Sequence, residues 1–226
     1  MKVVAKSVAA MALAALVAAP AARAAEATVG VDVASVYVFR GVTLSDEVQV
    51  QPYMEVSGLP VDLGVWASFD TDAESVIETD FYGSYALPFE GIDASVGYSE
   101  YSYGAGAFDR EVSLSTGFDL PLAPSVGLYY MVDSSGGYDG QFYADLSVGH
   151  DLELAEGVGL SVGALISYIV QGDDIAGDDG LNHYELSASL GYSMFSAGVT
   201  YVGEIDDDVL VVDEDLVVSV GVSHSF

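Results

Sequence analysis

The chain has 226 residues, with 35 acidic side chains against 5 basic ones, a formal net charge of −30 and no cysteine. So acidic a protein has no cations with which to grip a phosphate backbone, which excludes nucleic acid as a partner, and without cysteine there is no disulfide scaffold. Yet 51 % of the residues are apolar, a combination that suits apolar side chains facing lipid and acids facing water; a proteome adapted to a salty habitat is the other source of so many acids.

Met1–Ala24 reads as a cleaved signal peptide: Lys2 and Lys6 give a basic start, Val8–Ala19 is apolar, and Ala22-Arg23-Ala24 offers a small-residue cleavage site. Its apolar run falls short of the roughly 20 residues that span a bilayer, and no later stretch supplies them. Cleavage would remove Lys2, Lys6 and Arg23, so only Arg40 and Arg110 would face the acids. Residues 25–226 are expected to form one domain, placed by export in the periplasm, the outer membrane or the medium.

Across that domain apolar and polar residues alternate with a period of two, the signature of half-buried strands. The segments are Val29–Phe39, Val48–Ser57, Val61–Asp70, Ile77–Leu87, Ile92–Tyr101, Phe108–Leu120, Ser125–Val132, Tyr138–His150, Val158–Val170, Asn182–Met194, Ala197–Gly203 and Leu216–Phe226. Leu165 and Ile169 interrupt the polar face of their strand. Connections alternate in kind. One set is short and rich in Gly or Pro, such as Ser57-Gly58-Leu59-Pro60 and the tight Phe195-Ser196. The other is acidic or Gly-rich: Gly41–Glu47, Thr71–Ser75, Tyr101–Ala107, Asp133–Gly137, Gln171–Gly180 and Gly203–Asp215. That alternation predicts a closed antiparallel outer-membrane β-barrel of twelve strands, with short periplasmic turns and acidic outer loops. A soluble β-sandwich is the competing architecture. Tyr37, Phe39, Phe69, Tyr98, Tyr130, Tyr138, Tyr168, Tyr184 and Tyr201 fall near strand ends on the acidic-loop side, as an interfacial girdle requires.

The last strand is expected to close the barrel against Val29–Phe39. Val218, Val220, Val222 and Phe226 make its lipid face and an assembly signal for the barrel-assembly machinery, with His224 where a further aromatic would be usual. By parity the lumen receives Glu55, Asp62, Trp66, Asp70, Glu78, Asp80, Tyr82, Asp93, Asp109, Glu111, Asp145 and Glu185, joined by Arg40 at the outer end of the first strand. Two like charges about 4 Å apart repel by roughly 4 kcal/mol at an effective dielectric near 20, so such a lumen must be wet, cation-loaded or partly protonated. Arg40 is expected to pair with Asp70, Glu78 or Asp80, either as a selectivity element or as a simple neutraliser. Tyr53, Trp66, Tyr82, Tyr129 and Tyr143 should narrow the bore, and Arg110 should meet Glu100 on the lipid side.

The stretch Tyr37-Val38-Phe39-Arg40-Gly41-Val42-Thr43-Leu44-Ser45-Asp46 with Gln49-Val50-Gln51 resembles the opening signature of the TorF family of porins, also catalogued as a conserved bacterial family of unknown function; Gly64–Ser68 and Glu78–Tyr82 resemble its next blocks. The resemblance covers residues 27–85 and implies an outer-membrane barrel with a transport role and no catalytic residues. Two function classes follow. One is a narrow water-filled channel for cations or small solutes; the other is a non-conducting structural or recognition barrel whose acidic loops bind a partner or divalent cations. Lipid and lipopolysaccharide are the expected surroundings. No cofactor and no dedicated metal site are called for: the loops Gly172–Gly180 and Glu204–Asp215 lack calcium-loop spacing. An enzyme is not expected, since His183, placed near Asp178 and Asp179, lacks a motif-positioned nucleophile, and His150 and His224 belong to the inner rim.

Overall fold

The computed structural model describes residues 25–172, 175, 177–209, 212 and 215–226; the expected signal peptide lies outside the described residues. Its strands in chain order are β1 (Glu26–Ala34), β2 (Tyr37–Phe39), β3 (Val42–Ser45), β4 (Gln49–Ser57), β5 (Asp62–Asp70), β6 (Ser75–Leu87), β7 (Asp93–Tyr103), β8 (Phe108–Gly117), β9 (Ser125–Ser134), β10 (Phe142–Ala155), β11 (Val158–Val170), β12 (Gly180–Tyr192), β13 (Phe195–Glu204) and β14 (Asp215–Ser225). β1 and β4–β14 close into an antiparallel barrel of twelve strands, while β2 and β3 pair only with each other. Closure removes the sheet edges that an open sheet would leave unpaired.

The seam is β1 on β14, with Val29 opposite His224 and Val33 opposite Val220. The Phe226 N–H extends it, donating to the Ala27 carbonyl at 2.9 Å. The His224 and Phe226 rings meet edge-on with centroids 4.8 Å apart. So the imidazole pairs with the terminal aromatic.

The expected first strand needs correction. β1 stops at Ala34, and Tyr37 and Phe39 belong to the separate hairpin instead of the outer girdle. The segment expected as the loop Gly41–Glu47 contains β3. Elsewhere the differences lie at ends. β10 starts at Phe142 and runs on to Ala155, so Tyr138 is in the preceding loop and Asp151–Ala155 is strand rather than turn; β8 ends at Gly117; the tight turn before β13 is Ser193-Met194. Ser125–Val132 and Ala197–Gly203, the segments with the weakest alternation, form regular ten-residue strands, β9 and β13, because pairing on both sides supplies what their alternation lacks.

The barrel is apolar outside and polar inside. Met54, Leu63, Phe81, Leu146, Leu186, Leu190, Leu216, Val218 and Val220 are exposed, whereas Gln49, Ser68, Glu78, Glu111, Ser167, Asn182 and His183 are buried. Arg110 sits on the outer face and binds both Glu100 (Nε–Oε2 3.0 Å) and Asp133 (Nη1–Oδ2 2.7 Å).

Candidate functional site: an inward hairpin in an acidic lumen

The hairpin β2–β3 turns inward after β1 and runs across the lumen. Its two-residue turn is Arg40-Gly41, both with positive φ (52° and 86°), between the paired Phe39 and Val42. Positive φ at both central residues is the requirement of a type I′ turn, usually met by Asn, Asp or Gly. Arginine there is strained, and a charge network holds it.

Arg40 grips Glu111 on β8 with both prongs, Nη1–Oε2 at 2.6 Å and Nη2–Oε1 at 3.0 Å. Such a fork is the strong form of a carboxylate contact. The guanidinium also lies 4.5 Å from the Tyr129 ring centroid and 4.4 Å from that of Tyr143, on neighbouring strands. The Asn182 amide donates to the Arg40 carbonyl at 3.1 Å. Arg40 therefore sits at a hairpin tip and pairs with Glu111, correcting its expected place on the first strand and its expected partners Asp70, Glu78 and Asp80.

Those acids hold the hairpin elsewhere. Ser45 donates to Asp70 at 2.5 Å and Gln49 donates to the same oxygen at 2.9 Å. Thr43 donates to Asp215 on β14 at 2.6 Å. The Tyr37 ring packs on Trp66, centroids 5.4 Å apart, and burial, followed by the nearby Glu78 and Asp80 carboxylates, pushes its phenol above the ordinary range. The buried Asp80 Oδ1 has no hydrogen-bond partner among the described residues. Asp109 accepts from Ser134 at 2.5 Å and from Tyr103 at 3.2 Å. The structure thus brings Arg40, Glu111, Asp70, Trp66, Glu78 and Asp80 around one element.

The other sequence-predicted residues lie apart from it. Asp62 accepts from the Gly58 N–H at 2.9 Å and braces the β4–β5 turn. Tyr82 donates to Glu55 at 2.8 Å. A Cβ at Gly30 would come within 2.4 Å of the Tyr53 ring, and one at Gly64 within 2.2 Å of Tyr82. Both tyrosines thus lie flat over cross-strand glycines, so the hairpin, and not these rings, crosses the lumen. Asp93 and Asp145 line a cavity of about 370 Å³ at the short-turn end, with Ser95, Ser115 and Ser125. A second, of about 670 Å³, is lined by Ser161, Ser187 and Ser189. The interior is open and serine-lined below the hairpin, and bulky around it.

His183 lies near the outer end of β12, as expected, but it is fully buried against the Arg40-Gly41 turn, which sequence reasoning did not anticipate. Its Nδ1 lies 2.8 Å from Ser167 Oγ and 3.0 Å from Asn182 Nδ2, and its Nε2 3.3 Å from Glu185 Oε1. Ser167 also bonds the His183 backbone N–H and carbonyl, so its hydroxyl is occupied in fixing β11 to a bulged β12. A bulge shifts which residue faces inward, and period-two alternation neither marks it nor tells the hairpin from a continuing strand. The Arg-Gly pair flanked by alternating residues was the one available clue.

Asp206, Asp207 and Asp208 bring exposed carboxylate atoms within 4.8 Å of one another in the β13–β14 loop. Parts of both acidic loops lie outside the described residues.

Residues 18–119 match a family described as a bacterial protein of unknown function (Gcw_chp). No curated protein matches the chain. Among solved structures it is similar to a chain from work on the in-meso crystallisation of membrane proteins, at 12 % identity, with 89 % of this chain and 84 % of that one covered and a TM-score of 0.54. An outer membrane channel from Pseudomonas putida F1 (9 % identity, 93 % and 98 % covered) gives a TM-score of 0.49. OmpF from Salmonella typhi (9 % identity, 90 % and 97 % covered) gives 0.42. At these identities the likeness is one of fold.

Proposed function

We propose that this chain is an outer-membrane porin of the TorF type: a narrow, water-filled channel that prefers cations and small solutes, with a bore set by the inward hairpin. The observation that carries the reading is the inverted polarity of the barrel. An exposed apolar belt surrounds an interior of buried carboxylates, serines and glutamine. In water that arrangement leaves apolar surface unburied; in a bilayer it satisfies both faces. The TorF resemblance of the first hairpin supports the reading. In this reading the signal peptide Met1–Ala24 is removed on export, the short turns face the periplasm, and the acidic loops face outward among lipopolysaccharide. Val218, Val220, Val222 and Phe226 present the closing strand to the assembly machinery.

Cation preference follows from charge. The inward acids Glu55, Asp70, Glu78, Asp80, Asp93, Asp109, Asp145 and Glu185 outnumber Arg40, which Glu111 already neutralises. The test is the reversal potential of the purified, full-length protein in a planar bilayer across a potassium chloride gradient. The expected sign is that of potassium permeating faster than chloride; an anion-selective potential, or no conductance at any voltage, overturns the channel reading.

The second reading, a non-conducting barrel, is favoured by the same hairpin, which crosses the lumen and packs against side chains from several strands. Silent bilayers together with full membrane insertion would select it.

A further inference from the structure

On the long-loop side of the hairpin lies a cavity of about 420 Å³, within the size range of small-molecule sites. The hairpin forms its floor with Phe39, Val42 and Leu44, and Met131 and Ile169 form its walls. Both wall residues are on inward-facing positions: Met131 lies opposite Glu111, and Ile169 lies opposite Tyr143, two residues after the buried Ser167 of its own strand. Apolar side chains on the inward parity of an acidic lumen have no hydration to offer. Met131 and Ile169 are themselves buried, whereas Leu44, at 44 % exposed, keeps an apolar surface open beside them.

The polar groups at this cavity are selective in sign. Asp109 faces it and holds hydrogen bonds from Ser134 and Tyr103, which leave a carboxylate with acceptor capacity to spare. Arg40 borders the cavity but is committed to Glu111, so it presents no free positive charge. Phe39, Tyr103 and Tyr138 supply aromatic groups, which attract cations through their ring faces.

We propose that this cavity binds a small organic cation with an apolar body, an aryl- or alkylammonium, its charged head toward Asp109 and its body against Leu44, Met131 and Ile169. The assignment deepens the channel reading by naming a solute class, and its role in transport rests on that reading; binding itself does not.

The test is calorimetric titration of the full-length protein in lipid nanodiscs, with empty nanodiscs as the blank. The probes are phenyltrimethylammonium and, as an anion of similar size, 4-tert-butylbenzoate. The cation should bind saturably and at least about tenfold tighter than the anion. Asp109→Asn should weaken it by about tenfold, and Ile169→Asn, which leaves the carboxylate intact, by several-fold. Equal affinity for the two probes, no binding of the cation above the blank, or unchanged binding in Ile169→Asn overturns the proposal. Cation binding without conductance would sink the channel reading alone, and conductance without cation binding would sink this inference alone.

Discussion

Arg40 and Glu111 stand 71 positions apart in the chain and meet in a two-pronged ion pair across the lumen, their side chains 15 % and 3 % exposed. Removing one member of a buried pair leaves the other charge uncompensated, which costs far more than the pair's net worth. Glu111→Gln should therefore destabilise the folded barrel by about 3 kcal/mol. Urea unfolding in lipid vesicles, followed by tryptophan emission, measures it; a loss below about 0.5 kcal/mol would mean that water already solvates the pair.

Arg40→Ala removes the fork and the largest side chain at the hairpin tip. Single-channel conductance should rise above that of the unaltered protein. Arg40→Lys should fall between the two, because an ammonium keeps the charge but cannot reproduce the planar fork. Identical conductance in all three proteins would show that the hairpin does not set the bore.

Gly41 has a φ of 86°, and a Cβ there would lie 3.0 Å from the His183 ring. Gly41→Ala meets both a left-handed backbone and a fully buried neighbour that cannot yield, so it should cost about 1–3 kcal/mol. Gly91 also has a positive φ, 77°, but with nothing within 4 Å. Gly91→Ala should therefore cost less, and the difference between the two isolates the contact with His183.

Trp66 is the sole tryptophan of the chain, and it packs on Tyr37 of the hairpin. Its emission should report the hairpin's position. Tyr37→Ala should shift the emission to longer wavelength and make it more accessible to a water-soluble quencher. An unchanged spectrum would show that the indole is shielded by the barrel wall alone.

Much of the barrel was legible because a closed barrel with an apolar outside obeys a strict rule: every strand must put apolar residues on one parity and close on its neighbours. Leu216–Phe226 against β1, the alternation of short and acidic connections, and the Arg110–Glu100 contact all follow from it. The site was less legible. Tyr37–Phe39 has the same alternation as the strand before it, and nothing local tells a strand that continues upward from one that turns into the lumen. Likewise the β12 bulge that buries both Asn182 and His183 shows up only in the pairing with β11.

The sequence by itself determined the class of fold, the number of barrel strands, the polarity of the two faces and the excess of acids inside, since all are properties of residue type read at a period of two. Tertiary structure alone decided that residues 37–45 leave the wall, that Arg40 takes Glu111 over Asp70, Glu78 or Asp80, and that Tyr53 and Tyr82 lie against the wall instead of across the bore. These depend on which strands face one another across the lumen. That separation is set by barrel closure and leaves no trace in local periodicity.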